Sequence, residues 1–460
     1  MLDVLLENGR YPDFEQKKLV KSNIGIKDGK IAYVGDGVPK AKENKDVDGL
    51  VVSPGFIDIH MHEENFANEG LKYVIADMML AMGVTTAVGG NCGMQHQKLS
   101  DFKSGISALS GSPVNYIMLA GYNSYRYELG LGHYDRVDRA QMGKLRDLIA
   151  RDLSHGAWGL SFGIEYDPGI FFEEMVYAAE TDQDPDKLMA AHYRGDCIGN
   201  IDPVKEMVAF SKEIANKFQI SHLSSCGALG LMQECLDEIN TAMEQQDGGP
   251  SGKLNYDTYP YSAFATHIGS TVFEDGCLEA WHKDYSDILL SEEPFKNVRC
   301  TREIFTEARR NYPNMVAVAF VMNEDEIALA IKNKYGMVGS DGILTNGQGH
   351  PRAAGTFPRV LGKYVREEKQ LSLVDALRKI SLEPAKRLGI QHRKGQIKEG
   401  LDADLTVFSP EKVKDMADFG DIHQAPVGIE YVYVDGKLAA RDGRVVSESA
   451  GRFLDYRYDR

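Results

Sequence analysis

No apolar run in this sequence approaches the ~20 residues that a membrane span requires, and the first residues lack a basic segment followed by an apolar stretch. These absences remove a spanning helix and a secretory signal from consideration, so the expected location is cytoplasmic. Positive charge is also scarce. With 52 Lys and Arg against 68 Asp and Glu, the net charge is −16, and long-range repulsion opposes nucleic acid or an anionic membrane as partner. Six irregularly spaced cysteines in 460 residues do not form a disulfide framework, so each thiol is judged by itself. There is no internal repeat, coiled coil or low-complexity tract. What is present is ordinary globular material: 43% hydrophobic and 26% charged residues, near the average for soluble domains. The chain is too long for one small core and suits a large α/β barrel with a satellite domain.

The texture changes along the chain in a way that suggests how it is divided. Residues 1 to about 53 read as short strands with tight turns, Asp28-Gly29 supplying hairpin chemistry. From Gly55 apolar strands alternate with amphipathic helical stretches, the pattern of repeated βα units. Eight strands are expected near 56–60, 84–90, 114–120, 157–162, 187–192, 218–222, 253–257 and 335–340, with helices at 138–150, 203–215 and 228–240 between them. Further helices are expected at 357–368, 372–379 and 382–388. The gap from about 262 to 334 contains one more apolar run at 314–321, and part of it reads as an insertion over the barrel mouth, at about 264–312. Strand texture returns in GQIKEGLDADLTVFSP and GIEYVYVDGKLAARDG, the latter with an Asp435-Gly436 turn. The expected fold is therefore α/β: a TIM (β/α)8 barrel over 54–390, with a small β-sandwich domain built from 1–53 and 391–460.

Active sites of such barrels gather at the C-terminal ends of the strands, which filters every candidate residue. In PGFIDIHMH, His60 and His62 close the first strand on one face. Cys92 follows the second in TTAVGGNCG, where glycines allow close backbone approach. His192 closes the fifth strand, His222 the sixth and Asp341 the eighth. A lone histidine at a strand end is commonly a packed or surface residue, and Cys92 alone could be a small buried side chain; six metal-competent side chains at one barrel end argue otherwise. Imidazole, thiolate and carboxylate together favour Zn²⁺ over the harder Mg²⁺ or Ca²⁺. Zinc lowers the pKa of a coordinated water to roughly 7 and so supplies a nucleophile for an amide carbonyl. Asp341 could take the water proton and pass it to the departing nitrogen, or serve as a ligand only.

The words PGFIDIHMH, GVTTAVGGNCG, GLSFGIEYDPG, HYRGD, QISHL, YPYSA, GSDG and HPRAAGTFPRVLGKYVRE span nearly the whole chain. In these the chain resembles the amidohydrolase superfamily, and within it the N-acyl-D-amino-acid deacylases, or D-aminoacylases. The words SLEPAKRLGI and KGQIKEGLDADLTVF are shared broadly across amidohydrolases and bear on fold. The resemblance implies that Cys92, His192 and His222 hold a tightly bound zinc, and that His60, His62 and Asp341 line a weaker second site. The strand-four lysine that bridges metals in hydantoinases and dihydroorotases is absent: Trp158, Gly159, Leu160 and Ser161 stand there. The resemblance also implies Tyr166 as a donor to the carbonyl oxygen, a packed loop aromatic being its plain alternative.

Arg352, a planar bidentate donor, is the candidate clamp for a substrate carboxylate, or else a structural arginine; Tyr259 fits the same clamp by resemblance. Ser224 stands where relatives often carry lysine, and Ala265 where they often carry serine. Losing one charged hydrogen bond weakens carboxylate binding by about 1 to 3 kcal/mol, so the substrate need not be a standard N-acyl-D-amino acid. His267 is a replacement contact or an exposed insertion residue. Glu63 and Glu64 read as solvated carboxylates or as supports behind the metal ligands. The expected activity is hydrolysis of a linear amide in a small N-acylated substrate. The rivals are a cyclic amide hydrolase or deaminase on the same barrel, and a non-catalytic binding protein. A homo-oligomer is compatible with all of them.

Overall fold

The computed structural model describes residues 1–246 and 249–460. Both ends of the chain build one nine-stranded sheet. Leu2–Asp13, Lys18–Lys27 and Lys30–Gly35 form an antiparallel meander, and Val51–Pro54 runs antiparallel to Leu405–Phe408, with Leu405 opposite Pro54. Ile429–Val434, Lys437–Arg441 and Arg444–Val445 complete the far side. Both Asp-Gly turns take left-handed backbone at the two positions a tight hairpin requires: φ is 49° and 77° at Asp28 and Gly29, and 46° and 76° at Asp435 and Gly436.

Eight parallel strands follow: β1 Phe56–Asp58, β2 Val84–Gly89, β3 Asn115–Met118, β4 Gly159–Gly163, β5 Leu188–His192, β6 Lys217–Ile220, β7 Leu254–Thr258 and β8 Met337–Val338. They pair in chain order, with β3 joined to β4 through Ala120–Gly121. The order closes on itself: Met61 bridges Gly342 in parallel, Asp341 N–H donates to His60 O at 2.7 Å, and His62 N–H donates to Gly342 O at 2.9 Å. All side chains of β2, β4 and β5 are buried, which explains their apolar runs without polar alternation.

Helices fall between the strands where periodicity places them, among them Arg139–Ser154, started by an Asp138–Gln141 capping box, and Asp202–Glu213. Two expectations shift. The helix expected at 228–240 is Met232–Gln245, because a short helix, Leu223–Gly227, first turns the chain away from β6 and Gly230 (φ 115°) separates the two. The helix expected at 357–368 begins earlier, at Arg352, and passes through Pro358 into a π-helical stretch over Val360–Glu367. Proline suits a first helical turn, which is why the start reads late in the sequence; the true start places Arg352 in the first turn. The apolar run at 314–321 contributes Val316–Ala319 to a separate antiparallel sheet with Phe264–His267, Ile288–Leu290 and Val298–Arg299, so this added layer extends beyond residue 312.

Candidate metal centre

His60, Cys92, His222 and Asp341 offer one ligand atom each within 4.8 Å of one another, and all four are buried. None lies inside a strand. Each sits just past the end of β1, β2, β6 or β8, where the backbone is free to leave the sheet. Cys92 (φ 52°), His222 (φ 30°) and Asp341 (φ 51°) all take left-handed backbone, a conformation that costs a non-glycine residue roughly 1–3 kcal/mol and is held here by hydrogen bonds. His222 N–H donates to Asp257 Oδ1 at 2.8 Å. The Cys92 loop is pinned at both ends by one carboxylate: Glu63 Oε2 accepts from Gly90 N–H at 2.9 Å, and Oε1 from His96 N–H at 3.0 Å. Ser161 Oγ accepts from Gly93 N–H at 2.9 Å.

The imidazoles are oriented from behind. His60 Nδ1 lies 3.1 Å from Asp257 Oδ1, which turns Nε2 toward Cys92 Sγ at 3.4 Å and Asp341 Oδ1 at 3.5 Å. His222 Nδ1 faces Ser225 Oγ at 2.7 Å and Tyr193 OH at 3.3 Å, and its Nε2 is 3.4 Å from Cys92 Sγ. Such partners fix the tautomer and direction of metal-binding imidazoles. His62 Nε2 stands 3.3 Å from Asp341 Oδ1. His192 is beside His222, with ring centroids 4.5 Å apart, but its Nε2 is 2.7 Å from Glu165 Oε2 and its buried Nδ1 has no hydrogen-bond partner. The tightest group therefore pairs Cys92 and His222 with His60 and Asp341, whereas the resemblance had placed His192 with them. Glu165 engages His192, and His62 flanks the group.

The charges around the centre reinforce one another. Burial would raise the Cys92 thiol, but the imidazoles of His60 and His222 hold it well below the ordinary thiol range. Burial would raise Asp341 too, yet the Arg352 guanidinium and neighbouring histidines hold its carboxyl well below the usual carboxylate range. The histidines move the opposite way: against burial, Asp341 and Cys92 lift His62 to about 9, and Cys92 and Glu165 lift His192 to about 10. A thiolate and a carboxylate surrounded by proton-holding imidazoles form a site where a dication displaces protons on binding. Sulfur, nitrogen and oxygen donors together fit a borderline cation such as zinc and not a hard one.

Beside His222 and Asp341 opens a cavity lined also by Tyr166, Ala265 and Thr266. The Tyr166 ring lies 4.6 Å from that of His192, and burial together with the Cys92 charge keeps its phenol protonated, hence a donor. Arg352 is buried, with Nη1 2.9 Å from Asp341 Oδ2, Nη2 donating to Ala265 O at 3.1 Å, and its guanidinium 4.7 Å from the Tyr259 ring centre. The Tyr259 hydroxyl is buried without a partner, and Ser224 Oγ accepts from Tyr259 N–H at 3.5 Å. His267 is not an exposed insertion residue: it is half-buried, 3.3 Å from Thr345 Oγ1. Glu63 and Glu64 are not solvated either. Glu64 Oε1 accepts from Val74 and Ala76 N–H, both at 2.9 Å.

Sequence reading missed Asp257 and Glu165, which support His60 and His192. Both lie at or just past a strand end, so the filter that found Asp341 reaches them once it asks for carboxylates that hold histidines as well as metals. All six cysteines are free thiols, and Cys197 and Cys226 approach to 3.3 Å without a bond.

Residues 302–440 match the model of an amidohydrolase family. D-aminoacylase of Alcaligenes xylosoxydans xylosoxydans is 28% identical over 98% of this chain and 97% of its own length. A crystal structure of D-aminoacylase superposes with a TM-score of 0.88 at 27% identity, covering 99% of this chain and all of the other. The N-acyl-D-glutamate deacylase of Bordetella bronchiseptica, solved with zinc and a phosphonate mimic of the tetrahedral intermediate, gives 0.87 at 26% identity, covering 99% of each chain. The cyclic order of strands, the cysteine-containing donor group and these full-length likenesses agree: the chain is similar throughout to the D-aminoacylases, and its residues 302–440 match an amidohydrolase family model.

Proposed function

We propose that this protein hydrolyses a linear amide in a zinc-dependent reaction, removing the acyl group from an N-acyl-D-amino acid or a related N-acyl amine. The observation that carries this reading is the convergence of His60, Cys92, His222 and Asp341 within 4.8 Å, beside the cavity that Tyr166 and Ala265 line. In this reading these four residues hold the metal, with His62 and His192 flanking a second, weaker position. When bound, zinc polarises the amide carbonyl and acidifies water.

The chain's own residues do the rest. Asp341 is ionised, so it can accept a proton from water; its depressed pKa also makes it release that proton readily to the departing nitrogen. Tyr166 donates its phenolic hydrogen to the carbonyl oxygen as negative charge develops there. Arg352, Tyr259 and Ser224 form the substrate-carboxylate clamp, reached through the unpartnered Arg352 Nε and Tyr259 hydroxyl. The fold that carries the site is read as a (β/α)8 barrel over 54–390, with a β-sandwich domain from 1–53 and 391–460.

The test joins elemental analysis for zinc with turnover of N-acetyl and N-formyl amino acids of both hands, alongside hydantoins and nucleobases. Bound zinc and release of free D-amino acid are expected; a protein with no metal and no turnover refutes the reading. Asp341→Asn is expected to retain zinc and lose at least a hundredfold in kcat, and retained turnover removes Asp341 as proton carrier.

A further inference from the structure

The cavity beside the metal centre has a chemical bias. Glu165 and Asp196 both line it, and among the described residues no lysine or arginine does. The nearest basic residue in sequence, Arg194, is turned away, its Nη2 2.7 Å from Glu206 Oε1. Asp196 makes no ion pair among the described residues; its one side-chain partner is the neutral Trp281 indole, which donates to Oδ2 at 2.6 Å. Phe264 and Val272 supply apolar wall in the same cavity. His192, nine-tenths buried with its Nδ1 unpartnered, lines it too and ties it to the reaction centre.

We propose that this cavity takes an N-acyl amino acid whose side chain ends in a cation, an amine or guanidinium on an aliphatic stem, with Asp196 as the counter-charge. The inference rests on the deacylase reading for what happens to the substrate, and on the cavity alone for what is recognised. The stem lies against Phe264 and Val272, and the charged end meets Asp196. A carboxylate side chain would instead face two acids. A neutral one would leave the half-buried Asp196 without an opposite charge, which is costly. In line with that, burial and the Glu165 charge push the Asp196 carboxyl well above its ordinary range, a condition that an incoming cation reverses.

The experiment compares N-acetyl-D-lysine with N-acetyl-D-norleucine, which has the same stem without the charge, on the zinc-loaded full-length protein. Lysine is expected to exceed norleucine at least tenfold in kcat/KM, with N-acetyl-D-glutamate the poorest of the three. Asp196→Asn is expected to lower the lysine-to-norleucine ratio at least tenfold. A wild-type ratio of one or less, or a ratio unmoved by Asp196→Asn, overturns the proposal; if that variant does not fold, the wild-type ratio decides. Calorimetric binding of the same two compounds to Asp341→Asn separates this inference from the deacylase reading. Tenfold tighter binding of the lysine compound to this variant sustains the cation site even if the zinc-loaded wild-type protein turns over neither compound, the outcome that refutes the deacylase; equal binding overturns the cation site.

Discussion

Arg352 shows how one residue can be assigned correctly by type and incompletely by contact. Its guanidinium suits a substrate carboxylate, yet in the folded chain it already faces a carboxylate, that of Asp341 at 2.9 Å. Breaking a buried pair from one side leaves an uncompensated charge, at a cost of about 3–5 kcal/mol. Arg352→Ala should therefore destabilise the zinc-free protein by that amount in urea unfolding, with Arg352→Lys recovering part of it; a loss under ~1 kcal/mol would mean that the pair contributes little. Glu64 gives a pH test. Burial raises its carboxyl to about 8, against two backbone amides that pull it down. A carboxyl raised above its unfolded value of about 4.3 stabilises the fold below that pH and loses the contribution as pH rises toward 8, by up to about 1.4 kcal/mol per unit. Glu64→Gln does not titrate, so its stability relative to wild type should climb from pH 5 to 8 and then level off. Urea midpoints at pH 5, 7 and 9 check this, and a constant difference refutes it. The donor residues themselves were legible, because histidine, cysteine and aspartate at strand ends announce their chemistry. Which of them converge was not: left-handed backbone at Cys92, His222 and Asp341 turns these side chains after the strand has ended, and no spacing encodes that turn.

At the scale of elements, the loop after β2 decides whether the thiolate is in place. Glu63 holds the backbone at both of its ends, through Gly90 and His96, and Glu63 directly follows His62 in sequence. The loop bearing the sulfur is thus set by the segment bearing two imidazoles. Replacing such a support typically costs ten- to a hundredfold in metal affinity. Glu63→Gln, which keeps the length but only one acceptor, should weaken zinc by about tenfold in chelator competition, and Glu63→Ala by about a hundredfold. Unchanged affinity in the alanine variant would remove Glu63 from this role. The strands and helices that carry these loops were largely readable from apolar runs and periodicity. The helix that brings in Arg352 was read five residues late, since Pro358 looks like a start and is an interior residue of Arg352–Arg359.

At the scale of the molecule, the sheet built from both chain ends is fastened to the parallel strands by a buried charge cluster. Lys394 Nζ forms ion pairs with Asp404, Asp402 (3.4 Å) and Asp435 (3.6 Å). Asp404 belongs to both sides of the joint: its Oδ1 accepts from Asp435 N–H at 2.7 Å, and its Oδ2 lies 3.5 Å from Asn115 Nδ2 at the start of β3. The last residues of the chain add a second fastening, where Trp158 Nε1 donates to Leu454 O at 2.8 Å beside β4. The word KGQIKEGLDADLTVF, which bears on fold and not on substrate, is therefore a joint: its lysine neutralises the acids that its own strand and the Asp435 turn bring together. Removing that lysine leaves the buried Asp404 without a cation, whereas Asp402 keeps Lys30 and Arg393 (3.0 Å), and a broken buried pair costs about 3–5 kcal/mol. Lys394→Ala is expected to lower the unfolding midpoint by that amount. Because no residue of the cluster lines the cavity or offers a metal ligand, KM and zinc content measured well below the midpoint should stay within about twofold of wild type. A variant that keeps its stability, or that loses zinc while still folded, would show that the two ends of the chain are held to the strands by something other than this cluster.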